Sequence, residues 1–194
     1  MKIKKPVYIV FFMALLISLS ACAMGVKQQT SAGQDKKDSR TVVVYFSATG
    51  TTRNVAGKLA AATGADLYEI QPETPYTDAD LDWRDDNSRS SREMHDPGSR
   101  PAIKGEIKDL SRYDVVFIGY PIWWYTNPTI INTFIETHEL EGKRLVPFAT
   151  SGGSAIDKSC DDLRKAYPTL NWEKGRLLND VDGKDLEDWG NSFK

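Results

Sequence analysis

Six consecutive residues, Ser47-Ala48-Thr49-Gly50-Thr51-Thr52, are small or hydroxylated, and they separate the apolar run Val42–Val44 from the helix-forming stretch that begins at Arg53. Hydroxyls and main-chain amides gathered ahead of a helix make an anion nest. The first turn of a helix carries unbonded N–H groups and partial positive charge. Such a nest can grip a terminal phosphate without a metal. It is not a Walker loop, because G-x-x-x-x-G-K-[ST] needs a lysine that is missing here. Nor is it a dinucleotide fingerprint, because Gly50 stands alone. Without the lysine the loop is poorly equipped to transfer a phosphoryl group, so it favours anchoring one. The alternative use of the same residues is a plain Ser/Thr helix cap with no ligand.

Two other segments carry residues suited to a ligand. Gly119-Tyr120-Pro121-Ile122-Trp123-Trp124-Tyr125 places four aromatic rings in one stretch. Indole and phenol rings offer flat faces for stacking and polar edges for hydrogen bonds; the alternative is that the tryptophans pack over the next helix. Thr150-Ser151-Gly152-Gly153-Ser154 has two glycines that permit close backbone approach. Ser154 is placed to cap the helix that follows, and a plain glycine turn is the alternative.

The elements that must position these loops alternate along the chain. Strands are expected over Thr41–Phe46, Asp66–Ile70, Asp114–Gly119 and Arg144–Thr150, with a fifth near Trp172–Leu178. Helices are expected over Thr51–Ala62, Pro128–His138 and Ser154–Tyr167, with a short closing helix over Asp185–Phe193. Alternation of this kind makes a parallel sheet with helices on both faces. Ligands bind such sheets outside the carboxyl ends of the strands, where strand order reverses. The three loops follow the first, third and fourth strands, so they meet on one edge. A phosphate nest, an aromatic shelf and a glycine-serine loop together suit a planar ring on a phosphorylated chain.

One segment breaks the rhythm. Gln71–Gly105 is long and charged, with six acids and three arginines between Thr77 and Met94. Thr77 and Asp80 have the spacing of a capping box. A calcium loop is rejected, since Trp83 and Arg89 stand where it needs glycine and glutamate. The segment reads as a solvated helix with a loop.

At this point the chain resembles the flavodoxin family. Ser47-x-Thr49-Gly50-x-Thr52 matches the phosphate signature S/T-x-T-G-x-T, and GYPIWW and TSGGS resemble the second and third flavin loops. PYTDADLDW and RPAI look like the intervening segment of a bacterial flavodoxin-like subgroup. The resemblance implies an α/β flavodoxin-like three-layer sandwich with a five-stranded parallel sheet, order 2-1-3-4-5. It implies FMN held non-covalently. Ser47, Ala48, Thr49, Gly50, Thr51 and Thr52 would take the phosphate; Pro121, Ile122, Trp123 and Trp124 with Thr150, Ser151, Gly152, Gly153 and Ser154 would hold the isoalloxazine. Many electron-carrier flavodoxins place a glycine near the flavin N5, and this loop has none after Gly119. Stacked rings and a net negative surface disfavour the anionic reduced flavin, so a low-potential redox protein is expected, handing electrons to a partner protein or small acceptor. The two other readings are an FMN-dependent NAD(P)H:quinone or other small-acceptor reductase, and a tethered binding module without cofactor.

The first residues carry a different message. Lys2, Lys4 and Lys5 precede the uncharged run Val7–Leu19, and Leu19-Ser20-Ala21-Cys22 follows. This resembles a bacterial lipoprotein signal. Residues 1–21 are expected to be a cleaved signal peptide, Cys22 the lipidated residue, 22–39 a flexible tether and 40–194 the FMN-binding domain. The protein is then a membrane-anchored lipoprotein outside the cytoplasm. Losing three lysines and no acid moves the formal charge from −2 to −5, which argues against a nucleic-acid partner. Cys22 and Cys160 are the only cysteines, so a lipidated Cys22 leaves no disulfide. His95 and His138 read as surface residues, Cys160 as a small packed side chain, and neither zinc spacing nor a G-x-S-x-G elbow is present.

Overall fold

The computed structural model describes residues 40–107 and 109–194. The proposed signal peptide, Cys22 and the tether lie outside the described residues. β1 (Thr41–Tyr45) is buried along its whole length, as an apolar strand covered on both faces must be. It runs parallel to β2 (Asp66–Glu69) on one side and β3 (Val115–Pro121) on the other. β4 (Arg144–Thr150) continues the sheet beyond β3. The order is β2-β1-β3-β4 and then a fifth position, the doubly wound arrangement expected from the sequence.

That fifth position is filled by two short pieces. β5 (Asn171–Trp172) and β6 (Arg176–Leu177) both pair in parallel with β4. The interruption has a cause on the neighbouring strand. Leu145 O accepts from Glu173 N–H, and Ala149 O accepts from Leu178 N–H, each at 2.8 Å. The main-chain groups of residue 147 face the same side, and Pro147 has no N–H to give. Pairing lapses there, and Gly175 fills the gap; a Cβ on it would lie 2.4 Å from the Cys160 Sγ.

Alternate strand residues feed two cores. Val42, Val44, Val116, Ile118 and Leu145 pack with α3 (Thr129–Thr137) and α4 (Asp157–Ala166). Val43, Tyr45, Phe117 and Phe148 pack with α1 (Thr51–Thr63) and α5 (Gly183–Asn191). Helices on both faces complete three layers. Gly119 lets the Phe148 ring lie over β3 on that second face, since a Cβ there would sit 2.1 Å from the ring. Among the described residues, no helix is long and apolar enough to cross a membrane.

The segment between β2 and β3 holds a 3₁₀ turn (Ala79–Leu81) and α2 (Arg89–His95). Thr77 and Asp80 form the reciprocal box: Asp80 Oδ2 accepts from Thr77 N–H at 2.9 Å, and Thr77 Oγ1 accepts from Asp80 N–H at 3.2 Å. The segment is not simply solvated, however. Ser88, Ser90 and Ser91 are buried, and Tyr76 packs against the core.

Candidate functional site

The strand order reverses between β1 and β3, and a cavity of about 440 Å³ opens at their carboxyl ends. Its first wall is the loop after β1. The chain turns through Gly50 at φ 93°, with open space where a Cβ would be, so glycine is required there for conformation and not for room. Gly50 N–H donates to Ser47 Oγ at 3.1 Å, and Gly50 O accepts the first helical bond from Asn54 at 3.0 Å. The amides of Ala48, Thr49, Thr51, Thr52 and Arg53 find no acceptor among the described residues. They are the unspent donors of a helix start. The Arg53 guanidinium is committed to Glu69 at 2.5 Å, which leaves the nest neutral in its side chains.

The loop after β3 makes the second wall. Trp123 N–H donates to Thr126 O at 3.0 Å, and Thr126 N–H donates to Trp123 O at 2.9 Å. Trp124 and Tyr125 form the tip, with φ 47° and 66°. A two-residue turn of this kind needs left-handed φ at both central residues, and Asn-Gly is its relaxed choice. Two bulky residues there cost about 1–2 kcal/mol each. Trp123 meets Phe46 and Tyr76 edge to face, with centroids 5.6 Å apart in both cases. Trp124 meets the His95 ring at 6.0 Å. Trp123 also packs against the core cluster that holds the buried α3 residues Ile130, Ile131 and Phe134. Tyr120 does not belong to the shelf. It ends the buried part of β3, its hydroxyl accepts from Ser159 Oγ at 3.0 Å, and burial pushes its phenol far above the ordinary range.

The third loop is largely spent on itself. Ser151 Oγ accepts from Gly153 N–H at 3.1 Å and Ser154 N–H at 2.7 Å. Asn179 accepts from Ser151 N–H and donates to Ser151 O, at 2.8 and 2.6 Å. The expected Ser154 cap is therefore corrected. Ser151 closes the loop on itself, and α4 starts only at Asp157, after Ile156, with no side-chain cap. Thr150 is buried and shares a 2.8 Å hydrogen bond with Thr52, which ties this loop to the first.

The insert supplies the fourth wall. The Tyr76 hydroxyl donates to Glu93 at 2.5 Å, and Arg89 donates to the same carboxylate at 2.7 Å while lying 4.0 Å over the Tyr76 ring. Burial, and then the Glu93 carboxylate, push the Tyr76 phenol far up, so it stays a donor. At the far end Arg100 forks onto Glu136 of α3 with two 2.8 Å bonds. His138, expected at the surface, is half-buried. Its Nδ1 lies 2.9 Å from Phe134 O, and its Nε2 accepts from Ile107 N–H at 3.3 Å.

The structure thus brings together most of the residues singled out by sequence. Ser47, Ala48, Thr49 and Thr52 line the cavity with Pro121, Ile122, Trp123 and Trp124, and Ser154 reaches it from the third loop. Gly50 and Thr51 shape the first loop without lining it, and Thr150, Ser151, Gly152 and Gly153 do not line it either. Tyr125, counted in the aromatic stretch, lines it too, and Leu81, Trp83 and Ser90 line it unforeseen. A lone tryptophan in the acidic run DLDWRDD was the signal that could have pointed to the insert. Among the described residues, no lysine, arginine, histidine, aspartate or glutamate lines the cavity.

A flavodoxin family profile matches residues 40–193. A crystal structure of a flavoprotein candidate from Bacteroides eggerthii is 59% identical, with a TM-score of 0.78 over 80% of this chain and 98% of that one. Another from Bacteroides uniformis is 50% identical, with a TM-score of 0.76 over 78% of this chain and 97% of that one. The crystal structure of a Lactobacillus acidophilus flavoprotein in complex with FMN is similar in fold, with 21% identity and a TM-score of 0.62 over 78% of this chain and 98% of that one. A comparison with curated proteins gives no match.

Proposed function

The chain belongs to the flavodoxin family, and on that premise we propose that it binds FMN at the sheet edge and works as a redox protein. One observation carries the reading: the loop after β1 holds five unspent amides, and three of the residues that bear them, Ala48, Thr49 and Thr52, line the same cavity as Trp123 and Trp124. The donor set fits a phosphate dianion at one end and a planar ring at the other. The amides, helped by the Thr49 and Thr51 hydroxyls, hold the phosphate. Pro121, Ile122 and the two tryptophans orient the ring and exclude water from it, and Ser154 borders it opposite. Bound FMN supplies the electron transfer itself.

The lining holds no cation to meet negative charge that develops on the reduced ring. The midpoint potential should therefore lie below that of free FMN. Within this reading the protein is a low-potential electron carrier; a reductase acting on a small acceptor is the second reading, favoured by the further rings of Trp83 and Tyr125 in the cavity lining. Titration with FMN should quench its fluorescence at one equivalent, and riboflavin, which lacks the phosphate, should bind at least tenfold more weakly. Equal affinity for the two would overturn the assignment of the nest. A colourless protein that leaves FMN fluorescence unchanged would mark a cofactor-free module. A potential at or above that of free FMN would overturn the low-potential reading.

The setting is proposed from the first residues: a lipid on Cys22 would hold the domain outside the cytoplasm. Labelled palmitate should enter the wild type and not a Cys22→Ser variant; labelling of both would refute the anchor.

A further inference from the structure

A chain of hydrogen bonds outside the cavity lining runs from the aromatic turn to the insert. Asn127 directly follows the paired residues Trp123 and Thr126 and is buried. Its Nδ2 donates to Pro128 O at 3.2 Å and to Asn132 Oδ1 on α3 at 2.7 Å. Asn132 Nδ2 donates to the Tyr167 hydroxyl, at the end of α4, at 3.0 Å. That hydroxyl donates to Glu136 Oε1 at 2.7 Å, and Arg100 of the insert forks onto the same carboxylate. None of these five residues lines the cavity. The chain nevertheless joins two of its walls, and it ends beside Trp124 and Tyr125, whose left-handed backbone persists only if its surroundings hold it.

Each bond has one possible direction once the last acceptor is fixed. The Glu136 carboxylate, pinned by Arg100, has no hydrogen to give. Tyr167 must spend its one hydrogen there and can only accept from Asn132. Asn132 must present its nitrogen to Tyr167, so its oxygen faces Asn127. Asn127 must answer with its nitrogen, and both hydrogens of that nitrogen are then used. Neither amide can turn over without setting like groups face to face. We infer that Asn127, Asn132 and Tyr167 are positioning residues of the flavin site: a hydrogen-bond chain of fixed polarity, set by the Glu136 carboxylate, holds the turn that presents Trp123 and Trp124 to the ring. The inference rests on the flavin reading and extends it to residues that touch neither the ring nor the phosphate nest.

The test titrates the full protein with FMN and with riboflavin. Hydrogen exchange of the Thr126 amide, which pairs with Trp123 O, is followed in the same variants without flavin. Asn132→Asp keeps the size but puts carboxylates on both sides of one hydroxyl hydrogen. It should weaken FMN and riboflavin by the same factor, about fivefold, and speed Thr126 exchange by about as much. Glu136→Gln, whose amide oxygen can still accept from Tyr167, should change either affinity less than about twofold. The two changes combined should bring affinity back to within about twofold of the wild type. The new amide then turns its nitrogen to Tyr167, whose hydrogen passes to the new carboxylate on α3. If Asn132→Asp does not fold, Tyr167→Phe, which keeps the ring and removes the hydroxyl, should show the same equal losses. Additive losses in the combined variant, a loss confined to FMN, or unchanged affinity and exchange on cutting the chain would each overturn the inference. If the wild type binds no flavin, the flavin reading fails by itself, and the exchange rates alone decide whether the chain holds the turn.

Discussion

The loop after β1 and the loop after β3 use the same device to opposite ends. Each leaves its strand through left-handed backbone at the carboxyl edge of the sheet. In the first, that conformation falls on Gly50, and the neighbours are small. In the second it falls on Trp124 and Tyr125. The difference follows from what each loop presents. A phosphate is gripped by main-chain amides, so side chains there must stay out of the way. A planar ring is gripped by side chains, so the backbone accepts strain to aim them. Binding by backbone is relaxed and local; binding by side chain is strained and needs support from elsewhere in the fold.

The support for the second loop is the first place to press. Tyr76 is the ring that links the insert to Trp123 and Phe46. Tyr76→Ala should lower the unfolding free energy by about 2–4 kcal/mol, because it opens a void among three rings and strips Glu93 of a donor. Urea unfolding checks the loss. A change below about 1 kcal/mol would mean that the insert is a loose cover and not a wall, and the contrast between the loops would narrow.

The tie between the first and third loops is next in size. Thr52→Val keeps the shape but leaves the buried Thr150 hydroxyl without its 2.8 Å partner. A loss of about 1–3 kcal/mol is expected, and Thr52→Ser should recover most of it. Equal losses in the two variants would locate the effect in packing instead of the hydrogen bond.

These cases also mark what the sequence could and could not convey. The phosphate nest is six contiguous residues with a strand before and a helix after, so short-range rules describe it fully. The Thr77–Asp80 box was legible for the same reason. The turn at Trp124-Tyr125 was not, because its φ values run against the propensities of both residues; only the aromatic content could be seen. The insert is largely exposed, as its charges imply, but the part of it that is packed was not legible. Here Arg89 is absorbed by Glu93 and the Tyr76 ring, and Arg100 by Glu136, partners between 4 and 36 positions away. The split of the fifth strand was hidden because its cause, Pro147, lies on the neighbouring strand. Tyr120 was placed in the shelf because the strand's end was set two residues early.

A mirrored pair of substitutions bears on the strain itself. Gly50→Ala should destabilise by about 1–2 kcal/mol, since no Cβ is comfortable at φ 93° although nothing blocks it. The combined Trp124→Asn and Tyr125→Gly change should do the reverse, raising the unfolding free energy by about 1 kcal/mol once the greater freedom of the unfolded glycine is subtracted. The stabilised protein should bind FMN less well, a trade of function for stability. If it is destabilised instead, the two rings hold the fold together and their placement has no functional meaning.

The smallest effect separates the loops by pH. The phosphate nest contains no titrating side chain, so its geometry is indifferent to acid. The insert is clasped to α3 by Arg100 on Glu136, and that bond, followed by the Tyr167 hydroxyl, holds the Glu136 carboxyl below its usual range. A carboxylate with a depressed folded pKa adds stability above its unfolded value near 4.3 and loses it as pH falls through the folded one. Both partners are partly solvent-exposed, so the contribution is under about 1 kcal/mol. Unfolding curves of the wild type and Glu136→Gln should differ at pH 7 and converge as the pH drops below about 4. Curves that stay parallel to pH 3 would remove the clasp from the account. Riboflavin-to-FMN affinity ratios in Glu136→Gln should match the wild type, because the grip on the phosphate depends on amides and alcohols that the clasp does not touch.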